Sequence, residues 1–146
     1  MKKSIVTITT AVILMITSIN TFAANRIEKS STVESSRILN AFFDATTLGI
    51  VESNTFIFAD DFEYKNLANG DKFDKKMYTK FLKANKGLQY NSENSYEILD
   101  ENAQTCLAKT TMKFKNFSRI DYITLNYNTN GWQVSKVVTS YEQNPV

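Results

Sequence analysis

Apolar positions change their period part-way along the chain. Val33, Ile38, Leu39, Phe42, Phe43 and Thr46 recur at spacings of three and four, which predicts a helix with one broad buried stripe. Ser31-x-x-Glu34 ahead of it fits a capping box, which satisfies the first free N–H groups, and Gly49 is a natural stop after Leu48. Residues 52–58 predict a second, short helix that buries Phe56, Ile57 and Phe58. Ala59-Asp60-Asp61 predicts a turn, and Phe62 to Asn66 alternates as a short strand. After the turn signal Asn69-Gly70, Asp74 is placed to cap a helix from Lys75 to Lys86. Its inward residues are Met77, Tyr78, Phe81 and Leu82, and Gly87 ends it.

From Leu88 onward the texture is that of strands. Residues 89–99, 103–115, 119–128 and 132–141 form four runs rich in Thr, Tyr, Val and Ile, separated by short polar turns. Short turns force antiparallel pairing of consecutive strands. Helices first and a meander afterwards predict an α+β domain, with helices packed on one face of a curved antiparallel sheet. A two-residue type I′ turn on Asn130-Gly131 sets a register for the last hairpin. It pairs Thr129 with Trp132, Tyr127 with Val134, Leu125 with Lys136, Ile123 with Val138 and Asp121 with Ser140. These residues share the helix-facing side, while Tyr122, Thr124, Asn126, Gln133, Ser135 and Thr139 fall on the outer, more polar side.

The first residues read differently. Lys2 and Lys3 precede an apolar run from Ile5 to Ile19, and Thr21-Phe22-Ala23-Ala24 follows. This is the pattern of a secretory signal peptide, and the run is short for a membrane span, which takes about 20 apolar residues. The expected organisation is a signal peptide over 1–23, a flexible lead-in over 24–32 and a single domain over 33–142. The product is exported, periplasmic or secreted, with no stable membrane insertion once the signal is removed. Loss of Lys2 and Lys3 cuts the 17 basic side chains to 15, against 15 acidic ones. A balanced chain gives no argument for nucleic acid as a partner.

Composition narrows the chemistry. At 42% hydrophobic and 22% charged residues, the chain is globular rather than disordered. It has no histidine and one cysteine, which excludes Ser-His-Asp and Cys-His catalysis and imidazole metal sites. Cys106 cannot close an internal disulfide and alternates with Ala108, Thr110 and Met112 as a buried thiol does. No cofactor and no metal site are expected.

The element order, the stretch from Phe58 to Asn66 and the stretch from Asp121 to Lys136 resemble the nuclear transport factor 2-like (NTF2-like) superfamily. The last hairpin is most similar to the bacterial lumazine-binding group, whose pattern is Asp-Tyr-x-x-Leu followed by Gly-x-Trp-x-Ile/Val-x-x-Lys. Asp121, Tyr122, Leu125, Gly131, Trp132, Val134 and Lys136 occupy those positions. The resemblance implies a cone-like α+β fold, with the N-terminal helices on the concave face of the sheet and a cavity at the wide end. It also implies a fold shared by isomerases, cyclases, ligand binders and dimerising domains, so it assigns no activity.

Each candidate group carries two readings. Asp121 on the apolar face is a general base in an enzyme, or a strand-end carboxylate that is solvated or bonded to a backbone N–H. Lys136 on the same face holds an anionic ligand or forms a Schiff base, or packs its stem and sends its ammonium to water. Tyr64 and Tyr78 supply phenol donors to a cavity, or pack with their hydroxyls at its rim. Phe42, Tyr64, Tyr78, Phe81, Ile123, Trp132 and Lys136 are the expected lining of a ligand pocket. Asp60-Asp61 suits a turn better than a metal. Lys72, Lys76, Lys80 and Lys83 follow one side of a helix, as a solvated face or as a contact for an anionic surface. The expected function is a non-catalytic exported domain that binds a small apolar or aromatic molecule, or a scaffold that forms a homodimer through its sheet. The alternatives are a cofactor-free isomerase or cyclase using Asp121, and a protein-interaction module acting through the outer sheet face.

Overall fold

The computed structural model describes residues 34–51 and 55–145. The expected signal peptide, lead-in and most of the capping box lie outside the described residues, as do positions 52–54 of the expected short helix.

Helix α1 covers residues 34–47 and buries Ser35, Ile38, Leu39, Phe42 and Ala45, the stripe that its spacing predicts. A 3-10 turn, Thr55–Ile57, leads into β1, Phe58–Asn66. Here two expectations fail: Phe56 is exposed, and Asp60 and Asp61 do not turn the chain but continue the strand. Strand β2, Lys72–Asp74, returns beside β1, and Asp74 then caps helix α2, Lys75–Ala84, by accepting from the Met77 N–H at 2.8 Å. The four predicted strands follow as β3 (Glu93–Glu101), β4 (Thr105–Lys113), β5 (Phe117–Asn128) and β6 (Gly131–Gln143).

The six strands form one sheet in the order β2-β1-β6-β5-β4-β3. Only the β1–β6 pair is parallel. The sheet is curved and open, and among the described residues two helices pack on it. The core lies between them, built on Ile38, Leu39 and Phe42 from α1, Tyr78 and Leu82 from α2, and the inner faces of the strands.

The last hairpin departs from its predicted register twice. Its turn sits on Thr129-Asn130, one residue earlier, and pairs Tyr127 with Trp132 and Leu125 with Val134. A type I′ turn needs positive φ at both central residues. Among the described residues only glycines take positive φ, and here it is Gly131, at 89°. A type I turn closed by a left-handed glycine results. Farther along, Ser135 is an extra residue against β5, since Leu125 pairs with Val134 but Thr124 with Lys136, whereas against β1 residues 59–62 stand between the pairs Phe58–Val134 and Glu63–Lys136. This bulge reverses the alternation of β6. Val137 and Thr139 therefore point inward, and Lys136, Val138 and Ser140, expected inward, point outward.

Gly49 and Gly87 bring the ends of α1 and α2 together. Gly49 has φ 65°, and a Cβ there would stand 2.4 Å from the Gly87 backbone nitrogen. A Gly49→Ala variant combines left-handed strain of about 1–3 kcal/mol with a backbone clash. It should lose at least about 2 kcal/mol in urea unfolding; an unchanged midpoint would mean the two helix ends do not meet as described.

Candidate functional site

Strand pairing lines up side chains into rows across the inner face of the sheet. One row runs Ile98, Ala108, Ile123, Val137 and Tyr64, and is apolar apart from the phenol. The next runs Tyr96, Thr110, Asp121, Thr139 and Asn66. This second row is polar, yet Thr110, Asp121, Thr139 and Asn66 are all buried.

Asp121 faces inward, as its alternation with Ile123 and Leu125 predicts, and is 1% exposed. Two residues earlier on the same strand, Arg119 falls on the same face. Its Nε donates to Asp121 Oδ1 at 3.0 Å, and its second terminal nitrogen lies 3.0 Å from Oδ2. Thr139 donates its hydroxyl to Oδ1 at 2.5 Å. Both carboxylate oxygens are thus occupied by a two-point guanidinium contact, the strongest geometry open to such a pair. Burial opposes the charge of Arg119, but the adjoining Asp121 carboxylate outweighs it and holds the guanidinium above its ordinary pKa. The charge on each partner is tolerated inside the protein because the other is there.

Above this pair stand aromatic side chains. Phe58 meets Phe42, Phe62 and Tyr78 at centroid distances of 6.3, 4.9 and 5.6 Å. Tyr64 stacks on Tyr78 at 4.8 Å and on Phe73 at 5.4 Å. The hydroxyl of Tyr78 is fully buried and, among the described residues, makes no hydrogen bond of good geometry, although Arg119 lies close enough to interact with it. Burial, partly offset by the charge of Arg119, pushes its pKa far up. Burial also raises Tyr64. The space left beside Tyr78, Arg119, Phe81 and Leu82 is about 10 Å³, the least that admits one water molecule.

Of the expected lining residues, Phe42, Tyr64, Tyr78, Ile123 and Trp132 are buried and belong to the core. Phe81 is 40% exposed and Met77 51%, because α2 turns only Tyr78 and Leu82 fully onto the sheet. Trp132 packs on Tyr127 at the hairpin end, about 20 Å of strand from Asp121. The inward direction expected of Lys136 is corrected: the Ser135 bulge places it on the outer side, opposite Thr124 and 3.8 Å from Glu63, where it borders a groove of about 350 Å³ with Tyr64 and Phe73. It neither lines the interior nor approaches Asp121. Arg119, Thr110 and Asn66 are not among the expected site residues, and Thr139, expected on the outer side, is buried beside Asp121. The spacing of Arg119 to Asp121 was the available signal; the other three join only through pairing.

Cys106 is buried, and burial, followed by the charge of Glu101, pushes its thiol up to about 11, so it stays an unreactive thiol at neutral pH. Asp60 is exposed and bonds Lys75 at 2.7 Å. Among the described residues no three His, Cys, Asp or Glu side chains are grouped to hold a metal ion, and no helix is long and apolar enough to cross a membrane.

No protein-family model matches the chain, and no curated protein matches it. Solved structures do. An NTF2-like protein of unknown function from Silicibacter pomeroyi superimposes with a TM-score of 0.62 at 9% identity, over 80% of this chain and 98% of that one. The fold is NTF2-like. A ketosteroid isomerase-like protein from Erwinia carotovora atroseptica gives 0.61 at 11% identity, over 77% and 96%. An uncharacterized protein with a cystatin-like fold from Caulobacter vibrioides gives 0.63 at 14% identity, over 80% and 92%. Identities this low carry the NTF2-like fold and no activity.

The polar row and the stranded phenol call for opposite mutational responses. Asp121→Ala leaves Arg119 buried without its counter-charge and should cost about 3–5 kcal/mol, whereas Tyr78→Phe deletes an unpartnered hydroxyl and should be neutral or stabilising by about 1 kcal/mol. Chemical unfolding of both variants tests this; equal losses would contradict the assignment.

The raised tyrosine pKa also fixes a pH dependence. A phenol harder to ionise when folded costs nothing below its unfolded pKa, about 10. Above that, the unfolded chain binds fewer protons and stability falls as pH rises. Wild-type stability should therefore drop above about pH 10, by up to about 1.4 kcal/mol per pH unit for Tyr78. Tyr78→Phe should lose less over the same range; parallel curves for the two proteins would refute the burial of this hydroxyl.

Proposed function

We propose that this chain is a non-catalytic, exported NTF2-like domain that acts as a dimerising scaffold through the outer face of its sheet. The observation that supports it is the state of the interior. Among the described residues, Phe42, Phe58, Phe62, Tyr64 and Tyr78 pack together between the helices and the sheet, and the space beside Tyr78 and Arg119 is about 10 Å³. Ligand pockets run to about 300–1,000 Å³. Asp121 could act as a base only after giving up Arg119 and Thr139, which hold both its oxygens.

The outer face has the opposite character. Leu107, Thr124 and Lys136 form one row there, and Lys109, Tyr122 and Val138 the next. Tyr122 is 41% exposed in the middle of the sheet, an aromatic with a polar tip of the kind enriched at interfaces. Lys109 is paired with Glu97 at 3.5 Å, so the flank of this surface is charged but internally compensated. Symmetric self-pairing is the commonest way such a face is covered. The likeness of the last hairpin to the lumazine-binding group belongs to this proposal too, as a statement of kinship and not of a pteridine site.

A second reading, a small-ligand or cavity-enzyme site, has one observation in its favour: the unpartnered Tyr78 hydroxyl beside the Arg119–Asp121 pair.

Sedimentation equilibrium at tens of micromolar (the affinity range of about −6 to −8 kcal/mol) should give twice the chain mass. Tyr122→Glu, which sets two carboxylates against each other across a symmetric contact, should give the monomer with an unchanged circular dichroism spectrum. A wild-type monomer would sink the scaffold reading, and a small molecule released on denaturing that same sample would favour the second.

A further inference from the structure

Helix α2 presents an outer surface that the proposed function does not use. From Lys75 to Lys86 the chain has five lysines and no acidic residue. Lys75 is tied to Asp60, but Lys76, Lys80 and Lys83 are exposed. At 100° per residue they form a ridge opposite the buried pair Tyr78 and Leu82. Apolar side chains flank this ridge on both sides. Met77 and Phe81, one turn apart, are 51% and 40% exposed on one flank. On the other, Phe56 is 53% exposed and shares a shallow, open groove of about 840 Å³ with Lys76, Lys80 and Lys83.

Two features point to the same occupant. Asp60 and Asp74 also line the groove, but Asp60 is tied to Lys75 and Asp74 caps the helix, and the exposed lysines of the ridge attract an anionic surface. A solvated ridge would not need large apolar side chains beside it, and a nucleic-acid or protein polyanion would leave Met77 without an apolar acceptor. An anionic lipid surface takes both: lysines at the depth of the phosphates, and the apolar flanks at the acyl boundary. Either signal alone binds a membrane weakly, and the two together bind reversibly without a spanning segment. We propose that α2 is a peripheral docking face for an anionic phospholipid bilayer, with Lys76, Lys80 and Lys83 on the headgroups and Met77 and Phe81 dipping below them. The surface lies on the helical side of the sheet, so docking and pairing through the outer sheet face are independent.

The test is co-sedimentation of the purified protein with vesicles of phosphatidylglycerol and phosphatidylcholine in equal parts, against phosphatidylcholine alone. Binding to the anionic vesicles should exceed that to neutral ones by about tenfold or more and fall at high salt. Lys76→Glu with Lys80→Glu should reduce it to the neutral level, and Met77→Ser should weaken it about threefold or more. Circular dichroism checks that each variant is folded, and Lys80→Glu alone replaces the double variant if that one is not. No binding to anionic vesicles, equal binding to neutral ones, or an unchanged Met77→Ser affinity would each overturn the proposal. The last outcome would leave a purely electrostatic surface for a soluble polyanion. A monomer in sedimentation would leave this result unaffected.

Discussion

Side chains alternate faces along a strand, so one extra residue in a strand sends every later side chain to the other face. In β6 that residue is Ser135, an extra residue against β5. Its hydroxyl donates to the Thr124 carbonyl at 3.2 Å, so the local break in the ladder leaves that acceptor satisfied. Downstream of it, Val137 joins the apolar row, Thr139 reaches Asp121, and Lys136 is turned out to solvent. Without this shift, Lys136 and Val138 would exchange places with Val137, and Asp121 would face a different partner.

The interior follows from that arrangement. A buried Arg–carboxylate pair is weak support for stability compared with an apolar core of the same shape. It is, however, strict about geometry, because either charge alone inside the protein is heavily penalised. Arg119, Asp121 and Thr139 therefore tie β5 to β6 in one register at the end of the sheet where α1 and α2 come together. The aromatic stack above them fills what an open cone would leave hollow.

Those surfaces are unequal in charge. Apart from Lys2 and Lys3, basic and acidic residues balance over the chain, yet the stretch from Lys75 to Lys86 is wholly basic. Ion pairs such as Lys109–Glu97 and Lys136–Glu63 compensate the outer face of the sheet, and Lys75–Asp60 ties the start of α2 to β1. A net charge near zero thus conceals a segregation that only placement on the fold brings out.

Local signals were legible. The stripe of α1, the Asp74 cap of α2, the glycines at both helix ends and the four long strands depend on neighbours a few residues away, which the sequence displays. The inward direction of Asp121 was legible for the same reason, since the alternation of β5 is unbroken. What the sequence could not reveal depends on partners far along the chain. Asp60 and Asp61 lie in the irregular stretch of β1 between the two parts that pair in parallel with β6, some 70 positions on. Lys136 turns outward because Ser135 is an extra residue against β5. Met77 and Phe81 are exposed because α2 turns Tyr78 and Leu82 onto the sheet. Periodicity along a chain assigns elements and their faces, but it carries no record of which strands will lie side by side; pairing and packing across the fold set the bulges, the buried partners and the free surfaces.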